Sequence, residues 1–506
     1  AGGRFVVDIE SGSCRWEPEN EEAGGSAGAD GGGGDGSGGC GACLTWGGAL
    51  VLPMSIAADE LLGARLSSAS TAASTAGVAF EVVYAVERSE EKGRVGRRRR
   101  VVTSRPFFCG SSAQAEQCVE AVRRACGTGT GRGRKATLVV LNPVSGKGRG
   151  REVWNSRMKG VLEASGVDFE FRETRGAGDA ATMARDLDFD RFDGLVLIGG
   201  DGTLHECLQG LFLGAGGGGG GGEGFTPDPR AREVAIGMVP LGSGNGFACS
   251  CGAWDPDTAL WAVVKNRRRP FDLTQLRQPS SGKRWLMCLD LTFGFVANLD
   301  LDTEHLRWMG HARFELGGVW QILKGRTTKA DVAFVLADDG GGHGGSGGAP
   351  AEVAIEAKKE EEGALACPLL DAIEGSARSA SLFDDLPAPW TVMSPSNFQI
   401  FVVSNTPCIS MGDRIAPTIT VSSGSLALIS THRNSRLDNL ALMDMIAKGT
   451  THENPRVVSY REIKAFVIDP KKGKRFQYSL DGERIPNGRI LAQVHPGLAT
   501  AFSPIL

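Results

Sequence analysis

Between residues 135 and 270, continuous apolar runs alternate with stretches whose apolar residues recur at helical spacing. The apolar runs are ATLVVLNP, GLVLIGG and VAIGMVP. After the second run, Leu204, Cys207, Leu208 and Leu211 lie at i, i+3, i+4 and i+7, which predicts an amphipathic helix. Continuous apolar strands that alternate with helices are typical of a parallel sheet covered on both faces. We therefore predict an α/β domain with a parallel sheet over 135–270.

The regions on either side of this block are patterned mainly as strands. Runs such as AFEVVYAVE, followed by one helical pattern, SSAQAEQCVEAVRRACG, predict a small β-rich domain over 1–128. Over 271–506, short apolar runs such as NFQIFVVSN and SLALIST predict a mostly antiparallel β domain, with helices near 302–323 and 436–448. The predicted order is therefore a β-rich domain, an α/β domain and a β domain.

Three glycine-rich stretches interrupt these blocks, near 24–42, 214–224 and 338–350, and they hold many of the 73 glycines. The last stretch opens a polar, acidic segment, so the β domain carries an insertion over about 338–388. Such segments bury too little apolar surface to offset the entropy lost on ordering. We predict that all three are disordered.

The amino-acid composition of the chain limits which kinds of binding partner and which cellular compartments we expect. The chain has 55 basic and 59 acidic residues, a net charge of −4, so no excess of positive charge predicts a nucleic-acid partner. No apolar run reaches the roughly 18 residues of a membrane span. Twelve cysteines without a regular framework favour a reducing, cytoplasmic location, and Cys40 and Cys43 lack the second pair of a metal site. The basic cluster at 94–105 is either a solvated loop or a contact with anionic membrane.

Each of the three apolar α/β strands ends in a turn rich in glycine, serine or asparagine. The turns are NPVSGKGRG at 142–150, GGDGT at 199–203 and PLGSGNG at 240–246. Ligands of open α/β sheets bind at the carboxyl ends of the strands, so the three turns are expected to converge. Glycines let backbone N–H groups approach a ligand closely, and the helices that follow favour anions. We predict a nucleotide-phosphate site there, although the standard P-loop motif is absent.

Asp201 stands between glycines in the second of these turns. A carboxylate beside phosphates is repulsive unless it holds a metal ion or accepts a proton from an attacking hydroxyl. Both roles belong to phosphoryl transfer. The structural alternative is an N-cap for the following helix, but an N-cap aspartate needs no glycine on both sides. We therefore interpret Asp201 as the catalytic acid–base residue.

The three turns together resemble the diacylglycerol-kinase-like catalytic domain of lipid kinases, and within that family the sphingosine kinases. The resemblance covers about 135–506. It implies a nucleotide domain followed by a lipid-binding β-sandwich, ATP and Mg²⁺ as cofactors, and Asp201 as the proton acceptor for the lipid hydroxyl. The N-terminal region resembles, weakly, the pleckstrin-homology-like region that precedes this domain in some members. NAD kinases share GGDGT, but the long β domain disfavours a soluble substrate.

The same resemblance assigns residues to the nucleotide and to the lipid. The nucleotide-binding residues it implies are Asn142, Pro143, Val144, Thr174, Arg175, Gly176, Ala177, Gly178, Gly200, Gly202, Glu206, Gly242, Ser243, Gly244, Asn245, Arg307, Arg313, Asp481, Gly482 and Glu483. Asp481, Gly482 and Glu483 form the site associated with magnesium. The substrate-binding residues it implies are Phe295, Val296 and Asp300. Two arginines six residues apart, Arg307 and Arg313, suit bidentate contact with phosphate.

Asp300 bears on the choice of lipid. Sphingosine kinases carry an acidic residue at this place, facing the amine of the long-chain base, whereas ceramide kinase usually does not. A buried carboxylate is favourable opposite an ammonium and unfavourable opposite a neutral amide. Asn298 stands where the family often has a second acid.

The sequence therefore predicts a kinase that transfers the γ-phosphoryl group of ATP to the primary hydroxyl of a sphingoid base. Ceramide or diacylglycerol is the alternative substrate, and a non-catalytic lipid-binding adaptor is the alternative function. Peripheral contact with a membrane is expected, because the substrate is a lipid.

Overall fold

The computed structural model describes residues 2–8, 13–18, 43–45, 55–56, 59–67, 78–89, 98–109, 111–126, 134–214, 227–294, 297, 327–337, 365–379, 382–394, 397–471 and 477–505. The chain forms two compact units. The first unit combines residues 1–136, 152–169 and 260–267, and the second combines 137–151, 170–259 and 268–506.

The first unit is β-rich, as the sequence predicts. Its strands are β1 (Gly2–Asp8), β2 (Ser13–Pro18), β3 (Cys43–Thr45), β4 (Ser55–Ile56), β5 (Leu61–Leu66), β6 (Val78–Ser89) and β7 (Arg98–Cys109). They form one sheet of order β3-β1-β2-β4 and a second, antiparallel sheet of order β5-β6-β7. Helix α1 (Ser112–Cys126) buries Val119 and Val122 in a core that includes Leu61 and Phe80. The likeness to a pleckstrin-homology-like region stays a prediction.

The basic cluster of the N-terminal region includes one side chain with a defined role in the first unit. The Arg100 guanidinium lies 3.6 Å from the centre of the Trp261 ring and forms ion pairs with Glu87 and Asp59. Only 11% of its side chain is exposed. Arg100 is therefore held by internal partners and is not available to a membrane surface.

The α/β part of the second unit contains four strands, one more than the three apolar runs predict. They are β8 (Ala136–Leu141), β9 (Phe169–Glu173), β10 (Phe192–Gly199) and β11 (Ala235–Pro240), in the order β11-β10-β8-β9. β10 and β11 are parallel, as predicted. The additional strand, β9, is only half-buried and therefore lacks a continuous apolar run.

Short helices join these strands. They are α2 (Gly150–Val153), α3 (Lys159–Ser165), α4 (Asp179–Arg185), α5 (Asp201–Leu213), α6 (Gly246–Ser250) and α7 (Pro256–Val264). A π-helical turn, Trp154–Met158, separates α2 from α3, and 3-10 turns occupy Ser145–Gly148 and Pro229–Glu233. Helix α5 is buried along almost its whole length, so it lies in the core of the unit. Within the described residues, no helix is both long and apolar enough to cross a bilayer.

The remainder of the second unit is mostly antiparallel sheet, as predicted. Its strands are β12 (Arg268–Gln278), β13 (Lys283–Met287), β14 (Asp290–Phe293), β15 (Thr328–Leu336), β16 (Thr391–Val392), β17 (Asn397–Phe398), β18 (Ile400–Ser404), β19 (Leu426–Thr431), β20 (Ser459–Pro470), β21 (Tyr478–Leu480), β22 (Glu483–Ile485) and β23 (Ile490–Phe502). Within the described residues its helices are α8 (Pro368–Glu374) and α9 (Arg436–Lys448), and α9 has the predicted bounds. The helix predicted near 302–323 lies outside the described residues.

The last strand joins the two parts of this unit. β23 pairs antiparallel with β12 and β20, and it also pairs parallel with β11 through Thr500 and Ala501. The α/β strands and the antiparallel strands therefore belong to one continuous sheet. Separate apolar runs in the sequence do not reveal this connection, because the two paired segments are far apart along the chain.

The prediction of disorder over 338–388 is wrong for its C-terminal part. Helix α8 lies inside this segment, and its Leu370 and Ile373 are buried against Val467 and Leu491. The polar composition of the segment as a whole conceals one local run of apolar residues, ALACPLLDAI. Pro368 at the first helical turn and apolar residues at i and i+3 order this run, because it buries its side chains on the sheet.

Candidate active site

The three predicted turns meet in the structure. Asn142, after β8, donates from its side-chain amide to Thr203 in the second turn, at 3.1 Å. Leu241, in the third turn, donates its N–H to the Gly199 carbonyl oxygen at 3.0 Å. A Cβ on Gly146 would lie 2.6 Å from the Leu241 carbonyl oxygen. Each turn therefore contacts the other two, and the predicted convergence is observed.

Glycine is required where the second and third turns touch. A Cβ placed on Gly242 would lie 2.8 Å from the Gly200 Cα, and one on Gly200 would lie 3.2 Å from the Gly242 Cα. Real Cβ atoms do not approach backbone this closely, so any side chain at Gly242 would force the two turns apart. A Cβ on Gly244 would lie 3.2 Å from Asp201 Oδ2, so glycine there leaves space beside the carboxylate.

Asp201 is the first residue of α5, but its carboxylate accepts hydrogen bonds from the N-terminal backbone of a different helix, α6. Its Oδ2 accepts from the Gly246 N–H at 3.0 Å, and its Oδ1 accepts from the Phe247 N–H at 3.2 Å. The carboxylate thus holds the first amides of α6. Asp201 does not cap α5, whose N-cap is Gly200, as the sequence interpretation expects, but its carboxylate is not bare, because it accepts the first amides of α6. A carboxylate has about four acceptor positions, so these two bonds leave room for a hydroxyl proton.

The environment of Asp201 alters its acidity. Burial raises the pKa of its carboxyl from 3.8 to about 6, and the neighbouring negative Asp481 acts in the same direction. The N–H groups of Phe247 and Gly246 oppose this by stabilising the charged form. The carboxylate therefore accepts a proton more readily than a solvated aspartate and is still mostly ionised at neutral pH.

The third turn also leaves one acceptor without a partner. Asn245 has a φ of 56° and donates from its side-chain amide to the Gly242 carbonyl oxygen at 2.8 Å. Its Oδ1 is buried and has no hydrogen-bond partner within the described residues. An unsatisfied buried acceptor is costly and is a mark of a site that a ligand or its water completes.

The segment from Thr174 to Gly178 lies next to this cluster through α5. Glu206 accepts from the Gly178 N–H at 2.9 Å, and Gly178 precedes α4 with a φ of 80°. Thr174 is buried and bonds through its N–H to the Leu141 carbonyl oxygen. The three residues between them, Arg175, Gly176 and Ala177, are exposed. Their exposure leaves them accessible to a ligand from solvent.

The LDGE segment carries two carboxylates: that of Asp481 is buried, and Glu483 is exposed. The Asp481 side chain has no exposed surface, and its φ is 51°. Its Oδ1 accepts from the N–H groups of Leu289 and Asp290, and its Oδ2 accepts from Cys288 N and His205 Nδ1 at 3.0 and 2.9 Å. With both oxygens engaged, the carboxylate has no open position for a phosphate or a metal ion. The placement of Asp481 as a direct nucleotide or magnesium contact therefore does not hold for its carboxylate.

The second acid of the LDGE segment, Glu483, lies in a different environment from Asp481. The residue Glu483 is exposed, and a Cβ on Gly202 would lie 3.3 Å from Glu483 Oε1. Glu483 therefore lies beside the turn that carries Asp201. Of the two acids in the LDGE segment, only Glu483 has an exposed side chain beside that turn.

The cradle of backbone formed by the three turns fits the phosphates of ATP. A Cβ at Gly242 would push the second and third turns apart, and the buried Asn245 Oδ1 beside it, an acceptor without a partner, suits a water molecule that accompanies the nucleotide and not a phosphate oxygen. The described residues contain no group of three or more His, Cys, Asp or Glu side chains placed to hold a metal ion. Mg²⁺ usually binds through one or two carboxylates together with substrate phosphates, so this donor set fits an ion bound with the nucleotide.

Five predicted site residues lie outside the described residues: Phe295, Val296, Asp300, Arg307 and Arg313. The assignments of these residues stay predictions. Conversely, sequence reasoning missed the backbone amides of Gly246 and Phe247 as partners of Asp201. No side-chain pattern signals them, because the donors are main-chain groups about 45 residues away.

Comparison with known proteins gives two domain matches and several lipid-kinase relatives. A family model described as the diacylglycerol kinase catalytic domain matches residues 136–276, and one described as the YegS C-terminal NAD kinase beta sandwich-like domain matches 393–502. A sphingosine kinase 2 of Arabidopsis thaliana is 28% identical over 73% of this chain and 76% of its own length. Human sphingosine kinase 1 is 27% identical over 71% of this chain and 88% of its own length.

There are two further matches. Human ceramide kinase is 28% identical, but over only 40% of this chain and 38% of its own length. A solved diacylglycerol kinase structure from Bacillus anthracis covers 74% of this chain and 98% of its own, with 13% identity and a TM-score of 0.46. The matched catalytic domain over 136–276 and the curated relatives identify the chain as a lipid kinase similar to the sphingosine kinases.

Proposed function

We propose that this enzyme phosphorylates the primary hydroxyl of sphingosine or a related sphingoid base with ATP. The observation that supports it most directly is the position of Asp201. Its carboxyl, with a pKa of about 6, lies where three glycine-containing turns meet. A base with a raised pKa beside a phosphate cradle suits the transfer of a phosphoryl group to an alcohol.

The reaction balances with the groups of the site. Asp201 takes the proton of the primary hydroxyl, and the hydroxyl oxygen forms a bond to the γ-phosphorus. The bond from that phosphorus to the β,γ-bridging oxygen breaks, and ADP leaves. Backbone N–H groups of the turns position the phosphates, Glu206 binds the Gly178 N–H, and Glu483 lies beside Gly202. Bound Mg²⁺ would neutralise phosphate charge in this reaction.

The choice of a sphingoid base rests on Asp300 and on the relatives. The sphingosine kinases of Arabidopsis and human align along about 70% of the chain, whereas ceramide kinase aligns along 40%. Asp300 would face the ammonium of the base, which a ceramide amide lacks. Ceramide or diacylglycerol remains the alternative substrate. A non-catalytic adaptor is disfavoured because the Asp201 carboxylate and all three glycine-containing turns are present together at one site.

The test is transfer of labelled γ-phosphate by the full-length chain to sphingosine, ceramide and diacylglycerol. We expect sphingosine to be phosphorylated and ceramide not. Asp201→Asn should lower kcat at least about 100-fold, because the amide cannot accept the proton. Substantial activity in this variant would refute the assigned base, and preferential labelling of ceramide would refute the substrate.

Asp272→Asn is the matched control for Asp201→Asn. Asp272 is buried, accepts from the backbone N–H groups of Gly424 and Gly497, and its pKa is also raised to about 6 by burial. It touches none of the three turns. If both variants lose activity equally, the loss reflects damage to folding and not the loss of a base.

The substrate assignment has its own variant. Asp300→Asn should raise the KM for sphingosine by about 10-fold, since an ion pair with the substrate is lost, and leave the KM for ATP unchanged. An unchanged lipid KM would remove the argument for recognition of the amine.

We also propose peripheral contact with anionic membrane through α9. Leu437 and Leu440 lie one turn apart on this helix and are 77% and 48% exposed. Arg433 and Arg436 are exposed at its N-terminal end and have no ion pair within the described residues. Exposed leucines next to unpaired basic residues are typical of a helix that lies on a lipid surface.

A further inference from the structure

We propose that Asp481 and His205 form a positioning pair that fixes the orientation of α5 and thereby of the Asp201 carboxylate. This inference rests on the proposed function of Asp201 as the base. It replaces the assignment of Asp481 to the nucleotide. Neither residue of the pair touches the substrate in this scheme, so both are positioning residues and not catalytic residues.

The pair is anchored to a rigid segment of backbone. Asp481 holds the consecutive N–H groups of Cys288, Leu289 and Asp290 at 2.8 to 3.1 Å. Its own N–H donates to the Asp290 carbonyl oxygen at 2.9 Å. Four main-chain bonds thus lock Asp481 to the turn between β13 and β14. The Asp481 carboxylate can then act as a fixed acceptor for His205.

His205 links this anchor to the helix that carries the base. It lies four residues after Asp201 on α5, which places the two side chains on the same face of the helix. Its Nδ1 lies 2.9 Å from Asp481 Oδ2, and because the partner is a carboxylate, Nδ1 carries the proton. The residue is only 7% exposed, so water does not compete for this bond.

One more turn along the same face, Gln209 repeats the arrangement. Its Oε1 accepts from the Leu286 N–H at 2.9 Å, and its Nε2 donates to the Leu286 carbonyl oxygen at 2.8 Å. Asp201, His205 and Gln209 therefore form a polar stripe at i, i+4 and i+8 on a helix that is mostly apolar. Two of the three members of the stripe are tied to residues 286–290. This tie restricts rotation and sliding of α5 and so holds the third member, Asp201, in place.

The alternative is that Asp481 contacts the nucleotide or its metal ion directly. That role would require an oxygen with an open acceptor position, whereas the Asp481 side chain has no exposed surface and both oxygens are engaged. The two roles predict different kinetics. Loss of a nucleotide ligand raises the KM for ATP, whereas loss of positioning lowers kcat at an unchanged KM for ATP.

The experiment measures kcat, the KM for ATP and the thermal midpoint for four variants of the full chain. They are His205→Ala, His205→Asn, Asp481→Asn and the double variant His205→Ala/Asp481→Asn. His205→Ala should lower kcat by about 10- to 100-fold, as is typical when a partner that orients a functional group is lost. The KM for ATP should stay within about twofold of the wild-type value, because no nucleotide contact is removed. His205→Asn should recover most of the lost kcat, because its amide nitrogen can donate from nearly the position of Nδ1.

The double variant tests whether the two residues act together. If they do, its kcat should be no lower than that of the more damaged single variant. Asp272→Asn is the control for loss of a buried carboxylate, and it should lower the thermal midpoint with kcat unchanged. If Asp481→Asn does not fold, the comparison of His205→Ala with His205→Asn still decides the question.

Three results would overturn the positioning role. They are an unchanged kcat in His205→Ala, a rise in the KM for ATP at constant kcat in Asp481→Asn, or effects of the two single variants that multiply in the double variant. A wild-type chain that phosphorylates no lipid would refute the proposed function itself. An active wild-type chain whose His205 variants keep full kcat would refute only this inference.

Discussion

The Asp201 carboxylate combines two properties that a solvated aspartate lacks. It accepts two backbone N–H groups from α6, and burial together with Asp481 raises its pKa to about 6. The hydrogen bonds fix its direction, and the raised pKa makes it a stronger base. Both follow from placing one charged residue at the junction of three turns, where little water reaches it.

The raised pKa predicts the acid limb of the pH profile. A general base acts only when it is unprotonated, and the pKa of Asp201 in the folded protein lies above its ordinary value of 3.8. Activity should therefore be full above about pH 7 and fall as the pH decreases through about 6. The measurement is kcat/KM for the lipid between pH 5 and 8, with lipid presented in neutral detergent micelles. A kcat/KM that stays constant down to pH 5 would show that burial does not raise this pKa.

Gly242 supports a second prediction at the scale of single residues. In Gly242→Ala the new methyl group would lie 2.8 Å from the Gly200 Cα, so the second and third turns must separate. We expect the KM for ATP to rise about 10-fold or more, because a phosphate cradle tolerates little displacement. Gly375→Ala is the control, since its Cβ would meet nothing within 4 Å. Equal effects of the two substitutions would argue against a phosphate cradle at this contact.

At the scale of elements, helices of this enzyme perform different tasks through different faces. Helix α5 is buried almost throughout and carries the polar stripe of Asp201, His205 and Gln209. Helix α9 buries Asn439 and Leu442 but exposes Leu437 and Leu440. Since a leucine gains free energy when it leaves water, the exposed pair of α9 favours contact with an apolar surface.

This exposed face gives a prediction for membrane binding. Replacing Leu437 and Leu440 together by serine should reduce sedimentation with vesicles of phosphatidylcholine and phosphatidylserine. Activity on substrate in detergent micelles should be unchanged, because the site is not altered. The control replaces Leu336 and Val392, each 49% exposed on β15 and β16, by serine. If the control pair loses as much vesicle binding, or if the α9 pair loses none, α9 is not the contact surface.

At the scale of the whole molecule, the second unit depends on its last strand. β23 pairs antiparallel with β12 and β20 and parallel with β11, so it connects the α/β strands to the antiparallel strands. The active site draws residues from both parts, since Asp201 and His205 come from α5 and Asp481 follows β21. The continuous sheet fixes the distance between these contributions.

Removal of residues 496–506 tests this dependence. Without Thr500 and Ala501, β11 keeps its parallel partner β10 but loses its pairing with β23, and one buried strand edge becomes exposed. We expect hydrogen exchange of the β11 amides to become faster and kinase activity to be lost. Removal of 504–506 is the control, because it leaves the strand intact. Unchanged protection of β11 in the longer truncation would show that β23 is not needed to hold the α/β sheet.

Local chemistry allowed much of this enzyme to be predicted from sequence alone. Continuous apolar runs marked three of the four α/β strands because buried strands exclude polar residues. The spacing of apolar residues gave helix α9 its bounds, and glycines at strand ends marked the turns that converge on Asp201. These features depend on neighbours in the chain, so a pattern within a short window records them.

Contacts between distant residues were decided only by the tertiary structure. The half-buried β9, the order of α8 inside a polar segment and the parallel pairing of β23 with β11 all depend on which surfaces meet after folding. The amides of Gly246 and Phe247 that hold Asp201, and those of residues 288–290 that hold Asp481, are main-chain groups common to nearly every residue. Sequence alone therefore identified the acid at the centre of the site. Its partners, its raised pKa and the burial of Asp481 arise from distant backbone brought together by folding.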